Sequence, residues 1–121
     1  MKKLILVCLL FAGCGGTNFS GTWKGTETGT VDGVPSSAAI TVVLSQDGDS
    51  VTGNYAGGNG SGAITATADG DNLNQFVAMS TIGCNYPGSA TRNGDMLTAT
   101  VKANATSSCP ALTATMTLQK E

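Results

Sequence analysis

The chain has 121 residues, enough for one small domain. Six lysines and arginines against eight acids give a net charge of −2, with no basic stripe, which excludes the electrostatic footprint of a nucleic-acid binder. There is no histidine, and the four cysteines form no C-x-x-C pair, which argues against zinc and thioredoxin-type redox chemistry.

The chain opens with Lys2 and Lys3, an apolar run over residues 4–11, and the small pair Ala12-Gly13 followed by Cys14. The run is too short for a transmembrane helix, which needs about 20 apolar residues. A basic start, an apolar middle and a small-residue exit predict a cleaved export signal over residues 1–13. Ala12-Gly13-Cys14 resembles the lipobox of bacterial lipoproteins. That resemblance implies cleavage between Gly13 and Cys14 and diacylation of Cys14 with palmitate-type chains, hence a membrane partner through the lipid. The competing reading is an ordinary secretory signal with a cysteine there by chance. Gly15 stands where an Asp is associated with inner-membrane retention, so the resemblance points to the outer membrane, facing periplasm or cell surface. Processing would leave 108 residues and, with Lys2 and Lys3 gone, a net charge of −4. Residues 14–19 form a lipidated tether, and 20–121 form the domain.

Cys8 leaves with the signal and Cys14 takes the lipid, so Cys84 and Cys109 remain. In an exported chain, such a remaining pair predicts a disulfide.

Beyond the tether the chain is rich in Thr, Gly, Ser and Ala, and short alternating runs separated by turn residues mark it as all-β. One turn phrase recurs as Asp47-Gly48-Asp49, Asp69-Gly70-Asp71 and Asn93-Gly94-Asp95, each leading into an alternating run. Asp-Gly and Asn-Gly supply the positive φ that tight hairpins require. Reading outward from these turns predicts eight strands, over residues 20–30, 38–46, 50–56, 62–68, 72–82, 86–92, 96–103 and 111–120. Alternation puts Ile40, Val42 and Leu44 on one face, with Ile64, Ala66 and Ala68, then Leu97, Ala99 and Val101, then Leu112, Ala114, Met116 and Leu118. Threonines fill the opposite faces, where the branched Cβ suits the pleat and the hydroxyl meets water. Eight strands in hairpin order bury their dry sides by closing into an up-and-down antiparallel barrel, which also removes exposed edges. A two-sheet sandwich is the rival. A porin-type barrel is excluded, because it faces its apolar side outward.

A meander puts the three matched turns at one end. The other end receives the connections 31–37, 57–61, 83–85 and 104–110, which read as longer and irregular. Both late cysteines fall in that looser group. The first strand starts at the tight-turn end, and five residues of tether reach at most about 17 Å, so the loop end should point away from the membrane.

Gly21-Thr22-Trp23 at the start of the first strand looks like the calycin barrels, the lipocalins and avidin-type proteins. Val51-Thr52-Gly53-Asn54-Tyr55 is similar to an early hairpin strand of the avidins. The chain also resembles small bacterial lipoproteins with a Gly-Thr-Trp start, repeated turns and a late cysteine pair. The calycin resemblance implies a lipocalin-like barrel with Trp23 packed across its closed end. Avidin pockets use several tryptophans, and this chain has one. As candidate ligand-lining residues we take Trp23, Tyr55 and Gln75, each also readable as core.

No catalytic residues are expected, so the reading is of a non-enzyme. Six of the acids are turn or loop aspartates, and Glu27 has no second strand carboxylate placed to share general acid–base work. The Asp-Gly-Asp turns lack the six or more oxygens and distal acidic ligand of a calcium loop, so no metal or other cofactor is expected. The expectation is a lipid-anchored envelope barrel that binds a small apolar ligand at its open end. The alternative is a protein-interaction module, such as a protease inhibitor or envelope-assembly accessory, acting through its loops on an envelope protein. A filled core would end the first reading, and a pocket of about 300 Å³ or more would promote it.

Overall fold

In a computed structural model, residues 18–58 and 60–121 are described. The signal peptide and the lipid site Cys14 lie outside those residues. Among the described residues there are eight strands: β1 (Gly21–Val31), β2 (Val34–Asp47), β3 (Ser50–Gly57), β4 (Gly60–Asp69), β5 (Asn72–Ser80), β6 (Asn85–Asn93), β7 (Met96–Ala103) and β8 (Leu112–Lys120). Each pairs antiparallel with its sequence neighbour, and the ring closes through β1 and β8, from Trp23↔Lys120 to Val31↔Leu112. The fold is an eight-stranded up-and-down barrel, and the sandwich is ruled out by this closure.

The inward faces are those the alternation predicts. Val42, Leu44, Ile64, Leu97, Val101 and Leu118 are buried, whereas Thr65, Thr67, Thr98, Thr100 and Thr117 are exposed. Burying one fully apolar side chain is worth about 1.5–3 kcal/mol, so this segregation is the main drive for closure. The matched turns are two-residue hairpins with positive φ at the first turn position: Gly48 (61°), Gly70 (58°) and Gly94 (63°). A positive φ at that position is the type II′ arrangement, whose twist suits the flanking strands.

Two of the four loop-end connections differ from expectation. Residues 31–37 are not a loop: Val31 pairs with Val34 around Asp32 and Gly33, both at positive φ (51° and 81°). That is a fourth tight hairpin, hidden in the sequence because Pro35 and the serines after it read as irregular. They lie instead in β2, where Pro35 opposes Thr30. Likewise β3 extends to Gly57 and β4 begins at Gly60, so little of 57–61 is left as loop. The irregular connections that remain are those before β6 and before β8.

The two ends are packed differently. At the tight-turn end Phe19, Trp23, Leu44, Val51, Leu73, Leu97 and Leu118 are all buried and fill the cross-section. The Trp23 indole has the Arg92 guanidinium and the Lys120 ammonium each 5.6 Å from a ring centroid. Arg92 also donates through Nη1 to the Asn18 carbonyl and through Nε to Gly94 O at 2.7 Å. Towards the other end several inward positions are small: alternation places Gly29, Gly62 and Gly88 there, with Ala78 and Ala114. Large side chains plug one end, and small ones leave the other hollow.

Candidate functional site

The hollow half contains a cavity of about 210 Å³, open at the end opposite the Trp23 plug. Its walls are mainly apolar: Val31, Ile64, Ala78, Val101, Pro110, Leu112 and Met116. Three polar side chains face it, the Glu27 carboxylate from β1 and two phenols, Tyr55 from β3 and Tyr86 from β6. Ser61, Ser80 and Thr81 add hydroxyls at the mouth, and among the described residues no lysine or arginine borders the space. Burial pushes the Tyr55 phenol above its ordinary range, and the neighbouring Tyr86 and Glu27 push it the same way. The phenol therefore stays neutral and keeps its O–H as a donor.

The mouth is braced. Cys84 and Cys109 form a disulfide, with Cα atoms 5.8 Å apart, that ties the β5–β6 connection to the β7–β8 connection. Those two connections supply Thr81, Ile82 and Pro110 to the cavity rim. Ser80 fastens the first by donating its N–H to Cys84 O at 2.8 Å and accepting the Cys84 N–H on Oγ at 3.0 Å. Thr106 does the same for the second: its N–H meets Cys109 O at 2.9 Å, and its Oγ1 accepts the Cys109 N–H at 3.0 Å. Asp32 clips the β1–β2 turn to the same rim, donating its N–H to Ala111 O at 2.8 Å and accepting the Ala111 N–H on Oδ1 at 2.9 Å.

Of the three candidate ligand-lining residues, only Tyr55 borders the cavity. Trp23 does not. It is fully buried in the plug at the opposite end, as its alternative reading as packing had it. Gln75 is also corrected, because it is exposed on the outer wall. Strict alternation from Leu73 would turn Gln75 inward, but β5 carries a bulge there. Its pairing with β6 jumps from Leu73↔Ala90 to Phe76↔Gly88, and Gln75 takes a φ of 52°. The extra residue shifts the inward set to Phe76 and Ala78. Gln75 accepts instead from Thr67 Oγ1 at 3.3 Å.

Glu27 and Tyr86 were not singled out as ligand-lining from sequence, although a signal existed. Counting by twos from Trp23 reaches Glu27, and counting back from Ala90 reaches Tyr86.

No protein-family model matches the chain, and no curated protein matches it. Among solved structures it is similar to a protein of unknown function from the DUF3598 family of Nostoc punctiforme, with a TM-score of 0.56 and 12% identity. The match covers 85% of this chain and 48% of that one, so the chain spans about half the length of that neighbour. The likeness is one of fold. With the closed ring and the plugged end, it fits a lipocalin-like barrel.

Proposed function

We propose that this protein is a non-catalytic, lipid-anchored envelope barrel that holds a small apolar ligand in its open end. One observation carries the reading: an apolar-walled cavity of about 210 Å³ at one end of an otherwise filled barrel. Apolar cavities of about 150 Å³ take up benzene, whereas drug-sized ligands need roughly 300 Å³ or more. The ligand is therefore small, with the bulk of a single ring or a short chain. The alternative of docking through the loops 31–37, 57–61 and 104–110 loses support, because the first two are largely strand. The position of the chain entry supports the anchor. Phe19 lies in the plug, so a tether from Cys14 would meet the barrel at its closed end and leave the mouth facing away from the bilayer.

The test of binding is titration of the purified protein with 1-hexanol, followed by methyl NMR of Ile64, Val101 and Met116. Saturable shifts are expected in the wild type and their loss in Ala78→Phe, which fills the cavity. Absence of shifts at millimolar hexanol refutes the reading. For the anchor, Cys14→Ser should move the protein from the membrane to the soluble fraction; continued membrane association removes the lipid from the proposal.

A further inference from the structure

We propose that the cavity selects a protonated amine carried on a small apolar body, over the neutral or carboxylate-bearing molecule of the same size. This rests on the ligand-binding reading above and names the class of molecule that the same site takes.

The argument begins with the sign of the site. Among the described residues, Glu27 is the acidic side chain bordering the cavity, and no cationic side chain borders the cavity. It reaches the interior because β1 alternates Trp23, Gly25, Glu27, Gly29, Val31 on its inward face. The half-buried setting matters, since a charge there is less screened than one at the surface. A fatty acid entering head-first would place its carboxylate against that of Glu27. An ammonium would be drawn to it.

The two phenols act in the same direction. Tyr55 and Tyr86 present aromatic rings to the same space, and a cation over a tyrosine face gains from the ring quadrupole. Their hydroxyl oxygens can also accept N–H donors. The rest of the wall, with Ile64, Val101 and Met116, offers an amine's hydrocarbon part a dry surface. A carboxylate, two tyrosine rings and an apolar floor form an amine site in chemical terms, and an anion would find no counter-charge.

The test uses three isosteric probes at pH 7: n-hexylamine, 1-hexanol and hexanoate, each titrated into the purified protein by calorimetry and methyl NMR. Hexylamine is expected to bind about tenfold tighter than hexanol, an increment of one decade in affinity, with hexanoate weakest. Glu27→Gln, which keeps the side-chain shape, should bring hexylamine down to the hexanol level. Tyr55→Phe should keep part of the preference, since it retains a ring. Equal binding of amine and alcohol, or a preference for hexanoate, overturns the amine assignment while the cavity reading stands. If none of the three binds, both fall together. Should Glu27→Gln fail to fold, the wild-type order of the three probes decides.

Discussion

The indole Nε1 of Trp23 donates to the main-chain oxygen of Phe19 at 3.0 Å, and both side chains are fully buried. This bond folds the segment ahead of β1 beneath the barrel and makes it part of the plug. The Phe19 N–H is held in turn by Gln46 Oε1 at 2.8 Å, and the Gln46 N–H by Ser20 Oγ at 2.8 Å. The closed end is thus sealed by local sequence, residues 19–23, locked onto β2.

Removing the indole should weaken the fold without touching the cavity. Trp23→Ala is expected to cost about 3–5 kcal/mol. Trp23→Phe keeps a ring but orphans the Phe19 carbonyl, at about 1–3 kcal/mol. Urea midpoints measure both. Hexanol affinity should be the same in Trp23→Phe as in the wild type, and a change in it would show that Trp23 does contact ligand.

Gly25 lies where β1 closes against β8. A Cβ built there would come 1.8 Å from Thr117 O and 2.9 Å from Leu118 Cα, both main-chain atoms that cannot rotate away. Gly25→Ala should therefore destabilise the seam by at least about 1–3 kcal/mol, with amide exchange speeding first in β1 and β8. An unchanged thermal midpoint would contradict this.

Breaking the mouth brace should cost stability and binding together. The disulfide closes a loop with a sequence separation of 25, for which chain entropy predicts about 3.5 kcal/mol. In a domain of this size that is a fall on the order of 15 °C in melting temperature. Hexanol affinity should also drop, because Thr81, Ile82 and Pro110 are held by the bridged connections. Scanning calorimetry of a Cys84→Ala/Cys109→Ala variant, beside a non-reducing peptide map of the parent, checks both points.

The raised Tyr55 phenol gives a pH dependence with a definite sign. A phenol that keeps its proton more tightly in the folded state favours folding below the unfolded value of about 10. That contribution disappears as pH rises through the higher folded value. Stability should fall above about pH 10 more steeply in the wild type than in Tyr55→Phe. Chemical denaturation at pH 9 and pH 11 separates them, and parallel slopes would refute the assignment.

The strand order, the inward faces and the barrel itself were legible in the sequence, because alternation between Val, Ile or Leu and Thr is a local signal repeated in every segment. The fourth hairpin at Asp32-Gly33 was equally legible but masked by Pro35. The bulge was not: Leu73-Asn74-Gln75-Phe76 reads as plain alternation, and only pairing with β4 and β6 on both sides shows which residue is extra.

By itself, then, the chain determined which faces are dry and where the tight turns fall, since each depends on neighbours within a few residues. Tertiary structure alone decided that Trp23 seals one end while Glu27, Tyr55 and Tyr86 share a cavity at the other. Those three come from separate strands, and a common space between them exists only once β1 meets β8 and the small residues opposite leave the volume unfilled.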